Sequence, residues 1–154
     1  MYRTRVGYTG GRKEFPTYHS LGNHTEALEI DFDPTQISFA DIADVFWKSH
    51  DPRCGVRGPQ YMTAIWFHDD TQRDVIDAAK DAIEVRLSAK VLTPVRPLDV
   101  FYPAEDYHQK YRLQNSRLRS HFKAMYSSFE DFNNSTAAAR LNGFIAGHGT
   151  RELF

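Results

Sequence analysis

Between residues 25 and 32 polar and apolar side chains alternate, a period that only a β-strand with one buried face satisfies over that length. Leu28, Ile30 and Phe32 share one parity, Glu29 and Asp31 take the other, and Glu26 falls with the apolar set. Such a strand needs paired neighbours, and the sequence offers several. Residues 4–8 read as a strand running into the flexible turn Thr9, Gly10, Gly11, and the stretch 14–23, with Pro16, Gly22 and Asn23, reads as a loop. Asp33 and Pro34 stop the alternating strand. Ser38 with Asp41 three residues later gives a capping-box-like start to a helix that places Phe39, Ile42, Val45 and Phe46 on one face and ends before Pro52. Residues 62–67, aromatic and β-branched, predict a central strand. Thr71, with Asp74 at the third position, caps a second predicted helix carrying Ile76, Ala79, Ile83 and Leu87. Residues 95–101 read as extended, confined by Pro94 and Pro97 to an edge or an irregular strand.

This order predicts an α+β fold in which helices cover one face of a mixed sheet. A split βαβ plan has a strand and a helix ahead of Thr4 that this sequence does not supply. Beyond Asn115 the spacing of Leu118, Phe122, Met125 and Phe129 is partly helical, while residues 133–135 and the neighbouring glycines and alanines argue for loops. The chain has 154 residues, 41% of them hydrophobic, which fits one domain, residues 1–154, able to bury roughly two-thirds of its unfolded surface. With 19 Lys and Arg against 20 Asp and Glu, it lacks the electrostatic footprint of a nucleic-acid or anionic-membrane partner. A single cysteine, Cys54, makes no internal disulfide and no thiolate metal site, so a reducing, cytoplasmic setting is expected and no cofactor is predicted. No apolar run approaches the ~20 residues of a membrane span.

Glu26 carries the most chemistry. Burial with Leu28 and Ile30 raises a carboxyl pKa, and a neutral acid beside an apolar pocket is a proton donor near neutral pH. The competing reading leaves Glu26 wet at a frayed strand end or in a salt bridge. Tyr8, Tyr18, Tyr61, Tyr102, Tyr107 and Tyr111 read as lying at segment ends or in loops, where phenols either bind ligands or pack with the hydroxyl in water.

Several ordered blocks then carry a resemblance: Val6-Gly7-Tyr8-Thr9-Gly10-Gly11, Pro16-Thr17-Tyr18, His24-Thr25-Glu26, Asp31-Phe32-Asp33-Pro34, Phe46-Trp47, His50-Asp51-Pro52, Gln60-Tyr61, and the run from Phe101-Tyr102-Pro103-Ala104-Glu105 to Asp106-Tyr107-His108-Gln109-Lys110-Tyr111. Over residues 6–111 the chain resembles the A-type peptide-methionine (S)-S-oxide reductases, with 112–154 as a C-terminal extension. The resemblance implies a ferredoxin-like split βαβ sandwich, N-terminally incomplete. It also implies reduction of methionine sulfoxide, free or in oxidised proteins and peptides, with a thioredoxin-like reductant. In that family a cysteine in a Gly-Cys-Phe-Trp motif attacks the sulfoxide sulfur while a buried Glu and two Tyr hold and protonate the oxygen. The matching positions here are Glu26 as general acid and Tyr18 and Tyr61 as oxygen-binding phenols.

The sequence departs from that pattern at the nucleophile. The Gly-Cys-Phe-Trp motif is absent, and Trp47 and Trp66 have core explanations instead. The loop before Gln60-Tyr61 is short; Cys54 within it is either a spectator or a secondary thiol, and no resolving cysteine follows. Three readings therefore stand: a truncated copy of an active enzyme, a catalytically silent relative that binds methionine sulfoxide or a protein, and an interaction module using a sheet edge.

Overall fold

A computed structural model of the chain describes residues 2–56 and 58–149. Strand β1 (Arg3–Thr9) pairs antiparallel with β2 (Thr25–Asp31) on one side and, over its second half, with β5 (Phe101–Pro103) on the other. A separate pair, β3 (Ile65–Phe67) and β4 (Val95–Pro97), runs parallel. Helices α1 (Phe39–Lys48) and α2 (Asp70–Leu87) pack on that pair, giving the expected α+β architecture. The extended stretch expected over 95–101 is in fact two strands of different sheets, because the Leu98 N–H turns to the Phe67 carbonyl at 2.8 Å and ends the β3–β4 ladder. The strand expected over 62–67 shortens to three residues, since a Pro59–Met62 turn occupies its start.

Ser38 and Asp41 form the capping box that opens α1: Asp41 N–H donates to Ser38 Oγ at 3.1 Å, and Ser38 N–H to Asp41 Oδ2 at 3.0 Å. Phe39 and Phe46 pack on the core as expected, with Trp47 and Ala43 buried beside them, but Val45, expected on the same face, is exposed. The start of α2 shifts as well: Asp69, not Thr71, is the cap, its carboxylate accepting from Gln72 N–H at 2.8 Å. Trp66 of β3 lies against Gly10, whose φ of 77° and closeness to the indole leave little room for a side chain.

The tail is helical where loops were expected. Helices α3 (Tyr111–Gln114), α4 (Arg119–Met125), α5 (Phe129–Asn134) and α6 (Thr136–Ile145) close around Leu113, Phe132 and Ala138. Ser128 and Ser135 cap α5 and α6 through their hydroxyls, and a run of alanines, the best helix formers, starts α6.

Past the end of β5, side chains take over the pairing of β1. Ala104 N–H donates to the Val6 carbonyl at 3.0 Å, and the buried Gln109 amide both accepts from Val6 N–H at 2.9 Å and donates to the Val6 carbonyl at 2.8 Å. Lys110, only 4% exposed, sends its ammonium to the Thr4 carbonyl and, at 2.7 and 2.9 Å, to the backbone and side-chain oxygens of Asn133, fastening α5 to β1. Desolvation, helped by the nearby Arg5 charge, lowers the Lys110 pKa from the ordinary 10.5 to about 8.

The register places Val6 opposite Leu28 and Tyr8 opposite Glu26, so these four side chains share a sheet face. The opposite face carries Arg3 and Arg5 paired with Glu29 and Asp31. On the first face Tyr8 is buried at 2% exposure beneath Leu21, Ala104 and Tyr102, whereas Leu28 on β2 is 58% exposed. The chain is expected to enhance the fluorescence of a hydrophobic dye, and Leu28→Ser to reduce that signal; a dye-silent native chain would show the face to be covered.

The Lys110 geometry generates a second expectation. Lys110→Met keeps the stem but orphans three acceptors, which should lower unfolding free energy by ~2 kcal/mol or more. The folded protein gives up this proton at lower pH than the unfolded chain. The unfolded state therefore holds more protons between about pH 8 and 10.5, and the stability of the native chain relative to the variant should rise across that window in denaturant titrations.

Candidate functional site

Three segments converge on the Tyr8 end of the β1–β2 ladder. The first is the 10–24 loop, shaped by Gly10 and by Phe15, whose φ is 47°. A tight hairpin closed by Ser20 N–H on the Thr17 carbonyl at 2.9 Å puts Tyr18 at its tip. His24 staples the loop from beneath. Its Nδ1 accepts from Gly11 N–H at 3.2 Å, so Nε2 carries the hydrogen donated to the Lys13 carbonyl at 2.8 Å. A Cβ on Gly11 would run into the His24 ring, which makes glycine obligatory there.

The second segment is the start of β2. Glu26 N–H donates to the Gln60 carbonyl at 2.9 Å, and Thr25 Oγ1 to the Pro59 carbonyl at 2.8 Å, docking the 59–61 loop on this strand. The Gln60 side-chain amide then spans two candidate groups: its Nε2 donates to Glu26 Oε1 at 2.9 Å and to the Tyr61 hydroxyl at 3.1 Å. Tyr18 and Tyr61 lie side by side, and contact with the Tyr18 phenol is the largest influence raising the Tyr61 pKa. Tyr18, Glu26 and Tyr61, chosen from separate stretches of sequence, are thus brought together.

The third segment follows β5. Ala104 and His108 join Val6, Tyr8, Tyr18, Glu26, Ala27 and Leu28 around a cleft of about 350 Å³ in which apolar side chains adjoin phenol, carboxyl and imidazole groups. Glu105 stands behind it, accepting from the Tyr8 hydroxyl at 2.7 Å and from Tyr18 N–H at 3.0 Å. Burial works against the charged form of Glu105, but these bonds and its own backbone N–H outweigh it and hold the pKa below the usual carboxylate range. Burial and the Glu105 carboxylate push the Tyr8 phenol well above its ordinary value, so Tyr8 stays a neutral donor.

Two expectations are corrected here. Glu26 does share its face with Leu28 and Ile30, but that face is open on the β2 side and Glu26 is exposed, so the burial inferred from parity is not found. Tyr8 lies near the end of β1 as expected, but Tyr102 sits in the middle of β5 rather than at a segment end or in a loop. Tyr61 is 73% exposed. Cys54 is exposed in the loop after α1 and does not line the cleft. Gln60, Glu105 and His108 received no role from the sequence; the adjacency of Gln60 to Tyr61 and the one-turn spacing of Glu105 and His108 were the available signals. Among the described residues, no three His, Cys, Asp or Glu side chains gather as a metal site, and no helix is long and apolar enough to cross a membrane.

Residues 1–140 match the family model described as peptide methionine sulfoxide reductase. A peptide methionine sulfoxide reductase of Drosophila melanogaster is 42% identical over 158 residues, an alignment covering all of this chain and 63% of the fly protein. Peptide methionine sulfoxide reductase MsrA of Methanothermobacter thermautotrophicus is 38% identical over 136 residues, covering 81% of this chain and 80% of the relative. Among solved structures, methionine sulfoxide reductase A of Corynebacterium diphtheriae superposes with a TM-score of 0.62 at 30% identity, over 73% of this chain and 63% of that one. Reduced Mxr1 of Saccharomyces cerevisiae gives 0.67 at 25% identity, over 74% and 71%. The chain spans less than two thirds of the fly relative and of the Corynebacterium structure. With a family-model match over residues 1–140 and a relative 38% identical over four fifths of both chains, the chain belongs to the peptide methionine sulfoxide reductase family.

Proposed function

We propose that this chain carries the oxygen-handling half of a methionine-S-sulfoxide reductase site. The observation that supports this most is the Gln60 amide, which links the Glu26 carboxyl to the Tyr61 hydroxyl beside the cleft that Tyr18 lines. In this reading Tyr18 and Tyr61 donate to the sulfoxide oxygen and Glu26 supplies the proton as the sulfur–oxygen bond breaks. The apolar side chains of Val6 and Leu28, on the sheet face of Glu26, take the thioether side. A sulfoxide seated there also displaces water from Glu26, and loss of hydration is what favours the protonated carboxyl.

The chemistry needs a sulfur nucleophile. In the reaction implied by the family resemblance, a cysteine thiolate attacks the sulfoxide sulfur, two electrons pass to the substrate, and the oxygen leaves as cysteine sulfenic acid. A dithiol of the thioredoxin class then returns the thiol and releases water. This sequence has no Gly-Cys-Phe-Trp motif, and its one cysteine lies outside the cleft. The 154-residue chain alone is therefore read as able to bind and polarise the sulfoxide without reducing it. We place it in the cytoplasm, acting on methionine sulfoxide in oxidised proteins or free in solution. The second reading, a catalytically silent relative that binds methionine sulfoxide, draws on the same exposed and remote Cys54.

Two measurements test this. The purified chain with methionine-S-sulfoxide and dithiothreitol should show no turnover; stoichiometric turnover abolished by Cys54→Ser would make Cys54 the nucleophile and overturn the assignment. With a segment bearing Gly-Cys-Phe-Trp fused ahead of the chain, turnover should appear, and Glu26→Gln should lower it by ~100-fold or more, the scale of lost general acid catalysis. Glu26→Asp, Tyr18→Phe and Tyr61→Phe should each cost less, and the two phenol changes together more than the sum of their separate effects. An unchanged rate in a folded Glu26→Gln protein would remove Glu26 from its role.

A further inference from the structure

A second carboxylate, Glu105, stands outside the acid-and-phenol set, and its two oxygens divide their work. Oε2 accepts from the Tyr8 hydroxyl at 2.7 Å, and Oε1 accepts from the backbone N–H of Tyr18 at 3.0 Å. Tyr8 is anchored by its place in β1 and its burial; Tyr18 sits at the tip of a surface hairpin. Glu105 itself is fixed relative to β1. Its neighbour Ala104 donates to the Val6 carbonyl, and Gln109, four residues on, holds Val6 through both of its amide atoms. The turn between them is closed by His108 N–H on the Glu105 carbonyl at 2.9 Å, which brings the His108 ring to 4.8 Å from the Tyr18 ring.

We infer that Glu105 is a positioning residue for the site: it transmits the fixed geometry of β1 to the hairpin tip and so sets where Tyr18 presents its phenol to the sulfoxide oxygen. The inference rests on the proposed sulfoxide site but does not share its fate, because the placement of Tyr18 can be read without any ligand. The Thr17–Ser20 turn and the Lys13 ammonium on the Ser20 carbonyl at 2.6 Å hold the far side of the hairpin but not the Tyr18 backbone itself, and a phenol that wanders by an ångström loses most of its value as a preorganised donor. A carboxylate accepting from the Tyr18 N–H adds a constraint at the backbone to the packing of the Tyr18 ring on His108, and charge-assisted bonds of this kind are the stronger class. Glu105 does not touch the reacting atoms in this scheme; Glu26 keeps that part.

The test uses the whole 154-residue chain and three variants. Glu105→Met keeps the stem and removes both acceptors. Glu105→Gln restores them in altered form, its carbonyl able to accept from Tyr18 N–H and its amide able to donate to the Tyr8 oxygen. Tyr8→Phe removes only the anchoring bond and guards against a Met variant that fails to fold. Two readouts are taken by NMR: nuclear Overhauser contacts between the Tyr18 and Tyr61 rings together with hydrogen exchange of the Tyr18 amide, and the affinity for N-acetylmethionine-S-sulfoxide. In Glu105→Met the ring contacts should fade, the Tyr18 amide should exchange faster, and affinity should drop by ~10-fold, about the worth of one charge-assisted bond. Glu105→Gln should recover most of each, and Tyr8→Phe should give a smaller loss of the same kind. A purely structural role would lower the melting temperature and leave the Tyr18 contacts of the folded fraction unchanged. That result, in Glu105→Met or, if it does not fold, in Tyr8→Phe, overturns the inference. If the native chain does not bind the sulfoxide, the proposed function falls, and the Tyr18 contacts alone decide for or against Glu105.

Discussion

The architecture depends on keeping the central strand paired along its whole length. β5 covers only three residues of β1, and buried backbone groups left without partners are too costly to tolerate. The solution here is local and sequence-coded. The carboxamide of Gln109 has the donor and acceptor of a peptide group, so it pairs with Val6 as another strand would, and the ammonium of Lys110 reaches the Thr4 carbonyl one step further. Because the same two residues belong to the segment that carries Glu105 and His108, satisfying β1 and building the back wall of the cleft are one structural event. The left-handed backbone at Lys110, with φ of 48°, turns the chain at this point from the sheet into α3.

Two carboxylates flank Tyr8 in contrasting circumstances. Glu105 is part-buried, doubly bonded and pushed toward its ionised form, whereas Glu26 is open to water and, among the described residues, receives one side-chain donor, the Gln60 amide. In the proposed site the two acids have separate duties: Glu105, whose hydrogen bonds favour its charged form, is the fixed frame, and Glu26, open to water and lining the cleft, is the group an arriving sulfoxide would meet.

Much of this was legible in the sequence, for identifiable reasons. The alternation of residues 25–32 and the Ser38–Asp41 box are local patterns, and local patterns survive folding with their boundaries nearly intact. Parity correctly put Glu26 on the face of Leu28, but exposure depends on what lies above a face, and periodicity does not encode that. The core place expected for Trp47 holds, but counting Val45 on the buried side of α1 failed because several phases of a ten-residue helix look apolar, and packing against Ile76 and Ile83 selects one of them. The tail was misread through its alanines and glycines. Ser128 and Ser135 are strong caps and the alanines strong helix formers, and Gly143 is simply carried inside α6. Gln60, Glu105 and His108 act through partners far away in the chain, 34 residues for the Gln60–Glu26 bond and 97 for Tyr8–Glu105, and such contacts leave no trace in spacing.

The bond from Gln60 to Glu26 has a consequence for timing. Both groups sit at the surface, and the loop bearing Gln60 is pinned to β2 by two backbone acceptors, the carbonyls of Pro59 and Gln60. Side chains in such positions change rotamer in picoseconds to nanoseconds while the loop backbone moves more slowly, in nanoseconds to microseconds. The amide can therefore leave the carboxyl and return many times within one encounter with a small molecule, without disturbing the strand beneath. Glu26 and Tyr61 share a tether that is quick to release and quick to re-form, so in the proposed site the more slowly moving backbone around them would not limit how fast an arriving oxygen is received.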